Sequence, residues 1–148
     1  MKTPFLIGRL IFGGFFLYSG IHHFTERKNM IEAAKSKNVP MPDLAVDLTG
    51  AAMVAGGASI LLGVKPRLGT AAIAGFLAGV SPIMHNFWKD EEPEQRMNNM
   101  VNFTKNMALL GGAVALMGVE EPWPVSAPVE KPSRMKRVLR FARNEVAA

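Results

Sequence analysis

The 148-residue chain contains no cysteine. Thiol–disulfide exchange, iron–sulfur clusters, thiolate metal sites and covalent c-type haem attachment are therefore excluded, because each of them requires cysteine sulfur. The chain also lacks a P-loop and a dinucleotide-binding glycine fingerprint, since Gly75 and Gly79 lie within an apolar run and do not follow a strand. The stability of the fold must therefore come from packing.

Charge is scarce in the apolar parts of the chain. Charged residues make up 20% of the sequence, yet the four longest apolar stretches contain only Arg9, Asp47 and Lys105, each near a stretch end. Each stretch is about as long as the roughly 20 residues that a helix needs to cross a bilayer. The sequence thus predicts an integral membrane protein of the all-α class, an antiparallel bundle of four transmembrane helices within residues 1–120. The predicted spans are Phe5–Phe24, Leu44–Val64, Leu68–Phe87 and Val101–Val119.

Small residues at four-residue spacing indicate how these helices pack. Lipid tails are as apolar as leucine side chains, so membrane helices associate where small side chains let their backbones approach. We therefore expect close helix packing at these positions, although the same faces could also dock a partner. The main runs are Ala52 with Gly56; Ala55, Ser59 and Gly63; Ala71, Gly75 and Gly79; and Ala108 with Gly112.

Two segments outside the spans have a defined character. Thr25 is expected to cap a short interfacial helix from Glu26 to about Lys37. After the last span, a proline-rich stretch at 121–133 predicts an extended linker with Trp123 at headgroup level. Residues 134–148 form a basic tail, and Arg134–Arg143 sorts into an apolar and a basic face. This tail is expected to lie on anionic lipid or on a partner subunit, and not on nucleic acid.

Polar residues collect at one end of the predicted bundle. The first and third spans end on the side where the second and fourth begin, so their polar groups should share one leaflet. Pockets of this kind in a membrane protein are the default carriers of function. We expect His85, one of the two adjacent histidines, Asp47 and Lys105 to converge there. The full candidate set is Tyr18, Ser19, His22, His23, Asp47, His85, Asn86, Asn102, Lys105 and Asn106.

Several interpretations of these residues remain open. Those near helix ends could simply reach the membrane interface, and Asp47 with Lys105 could form a structural ion pair. A b-type haem between His85 and His22 or His23 is allowed but less favoured, because two interfacial histidines are weak evidence. A quinone headgroup needs a hydrogen-bond donor to each of its carbonyls beside an apolar slot for its ring and tail, and the His, Tyr and Asn side chains here could provide that. No metal site is expected.

Seven motifs stand out along residues 5–118: Arg9, Phe15–Phe24, Val39–Pro42, Leu61–Gly63, Pro66–Gly69, His85–Trp88 and Lys105–Gly112. In these motifs the chain resembles the DoxX family of small bacterial membrane proteins. The resemblance implies a four-helix bundle in the bacterial inner membrane, associated with quinone-linked oxidoreductases such as the membrane subunit of thiosulfate:quinone oxidoreductase. Many relatives carry an acidic residue in the second helix where this chain has Gly50, Met53 and Val54.

Three classes of function follow. The first is the membrane subunit of a quinone-linked oxidoreductase, and the second is a non-catalytic accessory subunit of a larger respiratory or photosynthetic complex. A small-solute transporter is the least favoured, because no inverted repeat is visible and the spans hold few polar groups. More basic residues flank the spans on the side of the termini than on the other side, which favours cytoplasmic termini.

Overall fold

The computed structural model describes residues 2–128 and is helical, with no strand in that range. The helices are α1 (Lys2–Thr25), α2 (Arg27–Ser36), α3 (Pro42–Leu62), α4 (Pro66–Met84) and α5 (Pro93–Met117), with a short 3-10 helix at Phe87–Lys89. The basic tail at 134–148 and the end of the predicted linker lie outside the described residues. The amphipathic helix predicted there therefore stays a prediction.

Three helices are long and apolar enough to cross a membrane. They cover Thr3–Thr25, Pro42–Leu62 and Pro66–Lys89, which matches the first three predicted spans within a few residues. The chain is therefore a multi-pass membrane protein. Most of the fourth predicted span lies within α5, but this helix begins at Pro93 with a polar first half and is not among the three.

Proline and glycine set the helix ends. A proline occupies the first turn of α3, α4 and α5, where the missing N–H costs nothing because that group would have no helical partner. Helix α3 ends at Leu62 and is capped by Gly63, whose φ of 67° lies in the left-handed region that glycine adopts without strain. The turn from Gly63 to Lys65 then reverses the chain directly into Pro66. This turn makes α3 and α4 antiparallel neighbours.

A glycine seam joins α1 to α3. A Cβ added to Gly57 would lie 2.5 Å from the backbone nitrogen of Leu17, and one added to Gly20 would lie 2.7 Å from the backbone nitrogen of Val54. Backbones this close leave no room for a side chain on either helix. Gly13 on α1 contacts Gly57 on α3, whereas Gly20, further along α1, contacts Gly50, which comes earlier in α3. The two helices therefore run antiparallel.

The predicted small-residue contacts are only partly correct. Gly56 packs against Gly69 on α4, as the spacing predicted for a close helix pair. Gly75 and Gly79, by contrast, have open space where a Cβ would stand. The G-x-x-x-G pair on α4 therefore makes no close contact with another described helix, and its prediction as a packing contact within the bundle is wrong.

The segment after α5 folds back onto the bundle. Trp123 is 2% exposed and packs edge-on against Phe5, with ring centroids 5.2 Å apart. The backbone nitrogen of Ala127 donates to the carbonyl of Leu62 at 2.8 Å. Trp123 is thus part of the core and not a headgroup anchor, and the linker from 121 to 128 is packed and not free. The sequence did not indicate the burial of Trp123, because the flanking residues Pro122 and Pro124 are typical of an extended linker.

Arg9 is the polar centre of this packing. The side chain is 3% exposed and donates to four carbonyl oxygens: Ile60 at 2.8 Å, Leu61 at 2.7 Å, Pro124 at 2.6 Å and Val125 at 3.1 Å. A buried charge is tolerated when its donors are all satisfied. Arg9 therefore ties α1, the end of α3 and the C-terminal segment together.

Candidate functional site: an apolar cavity at the polar end of the bundle

The structure places the predicted site residues at one end of the helices but in two groups. One group lies on α1 and α3, and the other lies at the end of α4 and on α5. The first contains Tyr18, Ser19, His22, His23 and Asp47; the second contains His85, Asn86, Asn102, Lys105 and Asn106.

Asp47 pairs with Arg27 and not with Lys105. The guanidinium of Arg27 donates to both carboxylate oxygens, from Nε to Oδ1 at 2.7 Å and from Nη2 to Oδ2 at 2.8 Å. These hydrogen bonds raise the pKa of Arg27 further above its usual value. The predicted ion pair between Asp47 and Lys105 is therefore wrong. Arg27 of α2 binds both oxygens of the Asp47 carboxylate, whereas Lys105 donates to Asn102. The pair fastens α2 to α3.

Helix α2 covers nearly the range predicted for the short interfacial helix, but its first turn differs from the prediction. Ile31 and Ala34 are buried against Val46 of α3. The hydroxyl of Thr25 donates to the carbonyl of His22 at 3.1 Å, and no side chain caps the first turn of α2. Thr25 is thus the last residue of α1, and the prediction that it caps the short helix is wrong.

His85 lies just beyond the end of α4 in a chain of side-chain contacts. Its Nδ1 lies 3.4 Å from the Oδ1 of Asn99, and the Nδ2 of Asn99 donates to Asp90 at 2.7 Å. Because that amide nitrogen is a donor, the Oδ1 of Asn99 is the acceptor for His85. Asn99 therefore links the histidine to the carboxylate of Asp90. Sequence reasoning missed both partners, because neither Asp90 nor Asn99 lies within a predicted span or belongs to a motif.

The remaining residues of the second group make local contacts. The Nζ of Lys37 donates to the Oδ1 of Asn86 at 2.9 Å and so joins the end of α2 to the end of α4. The Nζ of Lys105 donates to Asn102 on its own helix at 2.9 Å. Asn106 is half-buried. Neither of these hydrogen bonds involves Asp47 or a residue of α1.

The three rings on α1 are arranged differently. Tyr18 and His22 are exposed and stack on each other, with ring centroids 6.1 Å apart. His23 points inward, where its Nδ1 lies 3.1 Å from the backbone carbonyl of Ser19 and its ring meets the edge of Phe76. Ser19 therefore contributes its carbonyl and not its hydroxyl. Only His23 of the adjacent pair faces the interior.

His23 opens onto a cavity of about 290 Å³ between α1, α2, α3 and α4. Its wall is almost entirely apolar, and the only polar side chains on it are those of His23 and Thr49. Gly79 also lines the cavity, which explains the open space beside that glycine. The other lining residues are Met30, Ala33, Ala34, Val39, Ala45, Val46, Phe76, Val80, Ile83 and Met84.

The DoxX family model matches residues 5–86 of this chain. The chain belongs to the DoxX family. The matched range covers α1 to α4 and therefore every wall of the cavity, whereas α5 and the C-terminal segment lie beyond it. A comparison with curated proteins finds no match, and a comparison with solved structures finds none either. The family is thus established from α1 to α4, while the chemistry of the site must be argued from its residues.

Signals for this cavity are weak in the sequence. Gly79 was visible only as a small residue suited to packing, and Thr49 and Phe76 carry no motif. His23 was in the candidate set, but nothing in the sequence separated it from His22. The four helices that form the cavity are neighbours only in the folded protein, which is why a linear pattern could not show it.

Proposed function

We propose that this DoxX-family protein is the membrane subunit of a quinone-linked oxidoreductase system, and that the cavity lined by His23 holds the quinone headgroup. The observation that carries the proposal is the cavity itself. It is a largely apolar space of about 290 Å³, with one imidazole and one hydroxyl on its wall. Small-molecule sites are commonly apolar with a few placed polar groups, and this volume lies near the lower end of their range.

The position of the cavity suits a ligand that arrives from the lipid. Ala33, Gly79 and Ile83 lie on its rim and are exposed on the outer surface of the bundle. These residues are apolar, so the opening faces a membrane environment and not a charged surface. A quinone could enter here with its tail remaining in the lipid, while its ring reaches His23.

We further propose that α5 completes an antiparallel bundle of four transmembrane helices. Helix α5 has 25 residues, about 37 Å, and this exceeds a hydrocarbon core of about 30 Å. Lys105 lies in its polar half, from which a long side chain can reach the headgroups. The cysteine-free chain allows a direct test with single cysteines at Glu94 and Glu120. We expect a membrane-impermeant thiol reagent to label them from opposite sides, and labelling from one side would refute the fourth span.

The basic tail and the membrane sidedness form part of the same proposal. Cytoplasmic termini in a bacterial inner membrane would place Arg134–Arg143 beside anionic lipid or a partner subunit. A truncation after Pro128 removes this tail but keeps the packed segment that contains Trp123. The truncated chain is expected to insert normally and to lose salt-sensitive partners. Retention of every partner would show that the tail has no docking role.

The accessory-subunit alternative has one observation in its favour. Ala113 is the only residue of α5 that is fully buried, and the α4 face at Gly75 has open space beside it. Unoccupied helix faces of this kind could dock another membrane protein. Under this alternative the chain would purify with partners but without quinone.

Purification in mild detergent separates the two functions. The preparation is extracted for quinone, assayed for haem and analysed for co-purifying proteins. The proposed function predicts quinone in the wild-type preparation and less in Gly79→Leu, whose side chain fills the cavity. Gly75→Leu is the matched control, because it lies one turn away with equal open space but outside the cavity wall. Partners without quinone in every variant would favour the accessory role.

A further inference from the structure

The hydrogen bonds already made inside the cavity determine what its polar side chains can offer a ligand. The Nδ1 of His23 lies 3.1 Å from the carbonyl oxygen of Ser19. A carbonyl oxygen only accepts hydrogen bonds, so this nitrogen must carry the proton. In a neutral imidazole the other nitrogen, Nε2, is then an acceptor.

The hydroxyl proton of Thr49 is likewise used in a hydrogen bond within the protein. Its hydroxyl donates to the carbonyl of Ala45 at 2.7 Å and lies 3.1 Å from that of Val46. The single hydroxyl proton is therefore used within α3, and the oxygen keeps only acceptor capacity for a ligand. The remaining side chains on the wall have no N–H or O–H group to donate.

The two redox forms of a quinone differ in this property. The oxidised form has two carbonyl oxygens, which accept hydrogen bonds, whereas the hydroquinone has two hydroxyl groups, which donate them. A cavity that presents acceptors satisfies the hydroquinone and leaves the quinone carbonyls without partners. Burying an unpaired polar group is unfavourable, so the mismatch acts against the oxidised form.

We propose that this cavity selects the hydroquinone over the quinone, with the Nε2 of His23 and the hydroxyl oxygen of Thr49 as acceptors for its hydroxyl groups. The inference rests on the proposed function and deepens it. It assigns Ser19 a positioning role, because its carbonyl fixes the tautomer of His23. A site of this kind raises the midpoint potential of the bound couple, because the reduced form binds more tightly.

The test uses a short-chain ubiquinone analogue and its reduced quinol, each titrated anaerobically against the purified protein at about pH 8, where an imidazole is neutral. One hydrogen bond gained and one mismatch avoided predict about tenfold tighter binding of the quinol. For a two-electron couple, this preference raises the midpoint potential of the bound analogue by about 30 mV.

Variants of the two acceptors decide the matter. His23→Gln is expected to bind both forms about equally, because an amide can donate as well as accept. Thr49→Val keeps the shape, removes the second acceptor and should weaken the quinol alone. His22→Gln is the matched control and should keep the wild-type preference, because His22 is exposed and does not line the cavity.

The outcomes separate the two proposals. Binding of the quinone as tight as that of the quinol in the wild type, or an unchanged preference in His23→Gln, would overturn the selection while leaving a quinone site in place. If neither form binds, or if Gly79→Leu binds both as the wild type does, the cavity is not a quinone site and the proposed function fails.

Discussion

Replacing Arg9 with lysine should loosen the end of the bundle that holds the C-terminal segment. The guanidinium donates from three nitrogens to four carbonyls, two at the end of α3 and two in the segment after α5. A lysine has its donors on one atom, so it cannot reach both pairs of carbonyls with the same geometry. At least two of the four hydrogen bonds should be lost. At about 1.5–3 kcal/mol for each bond to a charged group, the loss in stability is about 3 kcal/mol or more.

The assay uses the two tryptophans of the chain. Trp88 is 51% exposed and Trp123 is 2% exposed, so a Trp88→Phe background leaves the buried indole as the reporter. In that background Arg9→Lys should shift the fluorescence of Trp123 to longer wavelength and lower the midpoint of unfolding in denaturing detergent. Arg67→Lys is the control, because its side chain is exposed on the same end of the molecule. Equal midpoints for the two variants would refute the role given to Arg9.

Two further substitutions test the packing and the ion pair. Gly57→Ala should destabilise the bundle by about 1–3 kcal/mol, because its Cβ would meet the backbone of Leu17. Gly111→Ala is the control and should cost little stability, because a Cβ there would have open space. Equal unfolding midpoints for the two variants would contradict the glycine seam. Arg27→Asp should speed amide hydrogen exchange in α2, and adding Asp47→Arg should restore part of the protection; no recovery in the double variant would show that the pair does not hold α2 in place.

The apolar runs predicted α1, α3 and α4 well because the length of a membrane span is fixed by the bilayer. The start of α5 was missed because its first half is polar, and hydropathy alone does not register a helix that continues beyond the lipid. Pro93 provided a local signal for its start.

The partners of charged residues were less predictable. Asp47 could be matched with Lys105 only by comparing depths in a predicted bundle, whereas Arg27 is brought to it by the path of α2 across α3. The sequence predicts Arg9 only as a charge near a span end. Its burial could not be predicted, because its four carbonyl partners are backbone groups with no sequence signature. The burial of Trp123 likewise depends on a chain reversal that the prolines permit but do not specify.

The most direct test of the quinone site is photolabelling with a photoreactive quinone, followed by mapping of the modified residues. The proposed function predicts labelling on the cavity wall formed by α2, α3 and α4, competed by unmodified quinone. Labelling should be lost in Gly79→Leu and retained in Gly75→Leu. Labelling spread over the lipid-facing surface, or equal in the two variants, would contradict a quinone site in this cavity.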